Sequence, residues 1–161
     1  MVRRSDEKDK ASAYDRALGL LVRREHSARE LKAKLALRGL DADDSAEALA
    51  KLQSKDFQSD ARFGEMLVRS RLEGGYGERW ILAELRTHGI ADDKAHELIA
   101  AAEPDWPELI RRQLRRRYGG KRPGDPGDRN KRAAFLLRRG FDASTIRLVI
   151  SAAGSEDSEA D

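Results

Sequence analysis

A glycine followed by an apolar residue recurs along the chain at Gly39-Leu40, Gly89-Ile90 and Gly140-Phe141, spaced 50 and 51 residues apart. The likeness extends to both sides. Leu35, Leu85 and Leu136 share one offset before the glycine, Ala33, Ala83 and Ala134 share another, and Leu49, Ile99 and Ile150 share one after it. Self-similarity at a fixed period constrains the fold more than any other feature, because a unit this short buries its apolar face only by stacking on its neighbours. Three tandem units are expected, over 14–58, 59–104 and 105–153, with polar ends at 1–13 and 154–161 expected to be disordered.

Each unit reads as three short helices. In the first, Tyr14 to Arg24 carries Leu18, Leu21 and Val22 at helical spacing. Ser27 then caps a second helix, and Glu30 is placed to complete a capping box. Gly39 ends that helix in the left-handed conformation, with Leu40 packing back on it, and a third helix starts near Asp43 or Asp44. In the second unit the helices are expected over about 60–73, 77–88 and 92–103, broken by Gly74-Gly75 and Pro104; in the third, over about 105–118, 128–139 and 143–152. A Gly/Pro-rich loop separates the first two of the third unit, from Gly119 to Gly127. Alternating β-branched runs are missing. The fold class is therefore all-α, an elongated array of three tandem three-helix repeats, an architecture suited to presenting a long binding surface.

Charge points to the kind of partner. The whole chain carries only +3, yet from Trp106 to Phe141 twelve Arg and Lys face three acidic residues. A local positive field attracts polyanions or acidic protein surfaces whatever the total charge, although a solvated helix face also accounts for such a run. The catalytic and metal readings are weak. His88, Asp92 and His96 have i, i+4, i+8 spacing, but Gly89-Ile90 breaks the helix that would align them. Gly120-Lys121 is no phosphate loop, since Arg115 stands where glycine is needed and Arg122 where Ser or Thr is needed. Gly74-Gly75-Tyr76-Gly77 follows a helix and reads as an interhelix turn. Most acidic residues, such as Asp43, Asp60, Asp92 and Asp128, fall at helix starts, where capping explains them. There are no cysteines, no apolar stretch long enough to span a bilayer, and no secretory signal in the charged first ten residues, so a cytoplasmic protein without cofactor or metal is expected. Phe57, Phe63, Trp80 and Phe141 are expected in the core; Tyr76, Trp106 and Tyr118 are loose candidates for base stacking.

Several motifs fall in one order along the chain: Arg23-Arg24-Glu25-His26-Ser27 with Glu30-Leu31 and Leu35; Ser59-Asp60-Ala61-Arg62-Phe63; Val68-Arg69-Ser70-Arg71; and Gly75-Tyr76-Gly77 leading to Ile81, Glu84-Leu85 and Gly89-Ile90. In that order and spacing, over about residues 14–153, the chain resembles the RecX proteins, which bind and modulate the bacterial recombinase RecA. Gly64 stands where alanine is usual in that family, and the third unit carries the 119–127 insertion. The resemblance implies a regulator, not an enzyme, that binds along or within the groove of the RecA filament on single-stranded DNA and opposes its growth, ATP hydrolysis and strand exchange. A monomer with no membrane contact is expected. Charge and spacing make Arg23, Arg24, His26, Arg29, Arg62, Arg69, Arg71 and Arg79 the candidates for holding the partner. Arg111, Arg112, Arg115, Arg116, Arg117, Lys131, Arg132, Arg138 and Arg139 are the candidates for meeting DNA or an acidic surface. A nonspecific DNA-binding architectural protein with no obligatory protein partner is the alternative reading.

Overall fold

A computed structural model describes the backbone of residues 3–155 and the side chains of residues 13–154. Of the ends expected to be disordered, Met1 to Ala13 and Gly154 to Asp161, the backbone of 3–13 and of 154–155 is helical, and residues 1–2 and 156–161 lie outside the described residues. Among the described residues there are nine helices and no strand: α1 (Arg3–Arg23), α2 (Ala28–Leu37), α3 (Ala42–Ser54), α4 (Asp60–Glu73), α5 (Glu78–Thr87), α6 (Asp92–Ala101), α7 (Trp106–Tyr118), α8 (Pro126–Arg138) and α9 (Ala143–Ser155). They fall three to a repeat in tandem, as the period requires.

Side-chain caps set most of the starts. Ser27 Oγ accepts from the Glu30 backbone N–H at 3.1 Å, as expected, but the carboxylate of Glu30 turns to Arg24 and Lys34, so the reciprocal half of the capping box is absent. The cap of α3 is Asp41, whose side chain accepts from the N–H groups of Asp43 and Asp44, the residues expected to cap. Asp105 and Asp125 cap α7 and α8. The start of α8 at Pro126 precedes the expected Asp128 because proline, lacking an N–H, fits the first helical turn directly after a cap.

The repeated glycines act as the period implied. Gly39 and Gly140 have φ of 78° and 90°, and the residue after each donates back to the leucine five positions earlier, Leu40 to Leu35 O and Phe141 to Leu136 O, both at 3.2 Å. This closes the helix end and brings Leu40 and Phe141 onto the core.

The chain folds as two compact units that do not follow the three repeats. One comprises the residues up to Met66 with Thr87–Ala91; the other comprises Leu67–Arg86 with the residues from Asp92 onward. The first unit closes around Ala17, Leu35 and Leu52, with Tyr14, Leu18, Leu21 and Leu40 against them. The second closes around Ile110, Phe135, Leu136, Phe141, Ile146 and Val149, with Trp106 packed on the side. Phe63 and Phe141 are buried as expected; Phe57 and Trp80 are not, being 49% and 44% exposed. On α5 the inward positions are Ile81 and Leu85, and Trp80 falls beside that line, where it stacks on Tyr76.

Candidate functional site

The candidate residues of the first unit gather where α1 gives way to α2. Chain reversal at this point depends on a buried polar junction. His26 is only 2% exposed, and its Nδ1 lies 3.0 Å from the carbonyl of Arg24 while Nε2 lies 3.1 Å from Lys34 Nζ. An ammonium donates only, so Nε2 accepts and Nδ1 carries the proton that Arg24 O receives. Ser27 Oγ is 2.7 Å from His88 Nδ1, and Asp60 accepts from the Ala28 N–H and from Gln58, which also donates to His26 O. Thus the first turn of α2 is tied to α4 and to His88, and the basic residues around it are held in place.

Burial lowers the pKa of His26 below 6.5, the Arg24 and Lys34 charges adding to the effect, while the hydrogen bond to Arg24 O and the Glu30 charge oppose it. For Glu30, burial opposes ionisation, but the hydrogen bond and charge of Arg24, with help from Lys34, hold the carboxyl at about 2. Because the folded His26 binds a proton less readily than the unfolded one, its contribution leaves stability intact above pH 6.5 and lowers it as pH falls below 6.5. Glu30 acts later, its stabilisation being present above 4.5 and lost as pH falls toward 2. Thermal melts of wild type between pH 7.5 and 5.5 are therefore expected to drop with acid, and those of His26→Gln to drop less across the same interval. Equal slopes for the two proteins would show that His26 does not titrate in this range on folding.

Around this junction the arginines divide into engaged and free. Arg24 pairs with Glu30; Arg62 bridges Glu25 at 2.9 Å and Asp56 at 3.1 Å; Arg29 donates to Thr87 O at 3.3 Å. In the second unit Arg71 makes a two-pronged bond to Glu84, both arms 2.6 Å. Arg23, Arg69 and Arg79 are exposed and, among the described residues, make no ion pair.

The arginine run of the third repeat divides in the same way. Arg111 and Arg115 close on Glu108 at 3.0 and 2.7 Å. Arg132 is 6% exposed; it donates to Lys121 O at 2.7 Å, pairs with Asp128 at 3.1 Å and covers the Tyr118 ring. Arg139 donates to Gly74 O and lies over Tyr76. Arg112, Arg116, Arg117, Lys131 and Arg138 remain exposed without a carboxylate among the described residues. Three of them, Arg117, Lys131 and Arg138, line a cleft of about 400 Å³ between α7 and α8 together with Tyr118, Ala134 and Phe135. Two candidates, His26 and Arg132, thus lie inside the fold, where their work is to hold neighbouring residues.

A further basic hollow was not picked out in the sequence. Arg16, Arg23 and Arg38 line a cavity of about 240 Å³ with Gly19 and Leu20. Arg16, Gly19 and Arg23 follow i, i+3, i+7 spacing on α1, so helical periodicity marks two of its cations; only the fold adds Arg38 from the end of α2. His88, Asp92 and His96 have separate partners, Ser27, Arg86 and Glu78, and among the described residues no three His, Asp or Glu side chains gather as metal ligands. No helix among the described residues is long and apolar enough to cross a membrane.

Comparison with known proteins covers all three repeats. Residues 13–52 match the family description "RecX, first three-helix domain", residues 59–99 "RecX, second three-helix domain", and residues 103–150 "RecX, third three-helix domain". The chain is 48% identical over 132 residues to the regulatory protein RecX of Stenotrophomonas maltophilia, covering 82% of this chain and 81% of that one. It is 46% identical to the regulatory protein RecX of Xanthomonas axonopodis pv. citri, covering 82% of both chains. Among solved structures, a crystal structure of RecX from Lactobacillus salivarius shares the fold with a TM-score of 0.72 at 24% identity, over 92% of this chain and 98% of that one.

Proposed function

The chain belongs to the RecX family, and from that premise we propose that it is a non-enzymatic regulator that binds the RecA filament on single-stranded DNA and opposes filament growth, ATP hydrolysis and strand exchange. The observation that carries this reading is a group of exposed cations that have no carboxylate partner among the described residues, Arg23, Arg69 and Arg79 together with Arg112, Arg116, Arg117, Lys131 and Arg138. Guanidinium groups already satisfied by a carboxylate have little left to give a partner, whereas the others donate paired N–H bonds to a carboxylate or phosphate. The engaged arginines Arg24, Arg62 and Arg71 fit a supporting role, holding the surface from which the free ones project. The regulator acts as a monomer in the cytoplasm.

The cleft lined by Arg117, Lys131 and Arg138 also favours a second reading, direct and nonspecific DNA binding without an obligatory protein partner. ATP hydrolysis by RecA on single-stranded DNA, titrated with this protein at fixed salt, separates the two. Inhibition well below the amount that coats the DNA is the expected result. Inhibition only at coating levels, abolished by competitor DNA, would replace the filament regulator by a plain DNA-binding protein.

A further inference from the structure

Trp80 is one of the two tryptophans and the only one outside a core. Trp106 packs edge-on against Phe141, their ring centres 6.3 Å apart, whereas Trp80 is 44% exposed at the first turn of α5. Its ring stacks on Tyr76 with centroids 4.8 Å apart and planes 27° from parallel. On Tyr76 in turn lies the Arg139 guanidinium, 4.7 Å from the ring centre and anchored through Gly74 O. Arginine, tyrosine and tryptophan thus form a ladder, and the indole is the rung that remains exposed.

The ladder is fixed at both ends of its backbone. The N–H of Gly77 donates to Arg139 O at 2.8 Å and that of Arg79 donates to Gly140 O at 3.1 Å. Those bonds have two consequences. They fix the backbone that carries Trp80, and the stack on Tyr76 supports its ring, so a planar ligand meets a partly ordered platform. They also use amide groups at the start of α5 that would otherwise attract an anion, leaving the side chain of Arg79, exposed and unpaired among the described residues, as the nearby positive charge.

We propose that Trp80 is a stacking platform for an unpaired base of single-stranded nucleic acid, with Arg79 receiving the adjoining phosphate. This deepens the reading given under Proposed function, since the filament regulated there is built on a single strand. A base supplies the flat π-face that continues the Trp80–Tyr76–Arg139 ladder, and its backbone supplies the negative charge that Arg79 lacks; stacking of this kind is tolerant of base identity.

The test uses the full chain and two oligonucleotides of equal length, oligo-dT and an abasic strand with the same number of phosphates. Trp106→Phe leaves Trp80 as the sole tryptophan emitter, and oligo-dT is expected to quench its fluorescence while the abasic strand does not. In anisotropy titrations wild type should prefer oligo-dT to the abasic strand by about tenfold or more. Trp80→Ala should bind both alike, and Trp80→Tyr should restore the preference, which also covers the case in which the alanine variant folds poorly. Retention of the preference in folded Trp80→Ala, or quenching by RecA without DNA in place of quenching by oligo-dT, would overturn the platform. Either of those results leaves inhibition of RecA ATP hydrolysis by wild type untouched, so failure here is separable from failure of the regulatory reading.

Discussion

Replacing Gly77 by alanine should destabilise the second unit by about 3 kcal/mol, lowering its thermal midpoint by roughly 10–20 °C, although the same change at the start of a helix is ordinarily harmless. A β-carbon there would lie 2.4 Å from the carbonyl carbon and oxygen of Gly140 and from the amide nitrogen of Phe141. All three are backbone atoms, so no rotamer change relieves the clash. Separating the two segments instead would break the bonds from the Gly77 and Arg79 N–H groups to Arg139 O and Gly140 O, exposing donors of the first turn of α5 and acceptors at the end of α8 together. Gly39→Ala provides the contrast. Gly39 ends α2 as Gly140 ends α8, with φ of 78°, but a β-carbon there meets nothing within 4 Å. Its cost is the conformational one alone, about 1 kcal/mol. Circular dichroism melts of the two variants check the difference, and equal midpoints would show that the Gly77–Gly140 approach does not limit stability.

Neutralising Arg112, Arg116, Arg117, Lys131 and Arg138 together to glutamine should weaken binding to single-stranded DNA and to the filament far more than neutralising Arg111, Arg115, Arg132 and Arg139. If all five meet phosphates, the slope of log affinity against log salt falls by about 3.5 and affinity at 0.1 M salt by roughly a thousandfold. The second set is already engaged with Glu108, Asp128, Lys121 O, Gly74 O and Tyr76. Its loss is expected in thermal stability, Arg132 foremost because it is buried beside Asp128, with the salt slope nearly unchanged. Fluorescence anisotropy over a salt series measures both variants. Identical slopes would mean that the free cations face solvent and that polyanion contact lies elsewhere, the Arg16, Arg23 and Arg38 hollow being the next place to probe.

Local chemistry made much of the fold legible in the sequence. Ser27, Gly39 and Gly140 act through atoms only a few residues away, so their roles as cap and helix terminators follow from spacing alone. The same holds for Leu35, Leu85 and Leu136, buried at one offset in each repeat because the helical period places them on the inner face. Proline at the first turn moved the start of α8, and Asp41 took the cap expected of its neighbours, since several acidic side chains within one turn can serve and backbone geometry selects among them.

The site was legible only as a set of candidates. Composition showed that arginines concentrate in the third repeat, but charge at a position does not say whether a carboxylate is brought against it. Arg71 meets Glu84, thirteen positions away, and Arg139 meets Gly74 O, sixty-five away; such pairings decide which guanidiniums remain for a partner. The division into two units, with the second repeat shared between them, has the same origin, because the sequence period counts helices whereas burial depends on which helices pack. Trp80 and Phe63 look alike as large aromatics in a helical pattern, yet one stacks at the surface and the other is buried. What could be read from residue order alone was the existence of the helices, the glycine terminators and the threefold order, since these depend on neighbours within a turn or two, whereas starts such as those of α1 and α8 were displaced. Which cations lack a carboxylate among the described residues, which aromatic ring is exposed and where glycine is indispensable emerged only on folding, because each depends on atoms that the folded chain alone brings within bonding distance.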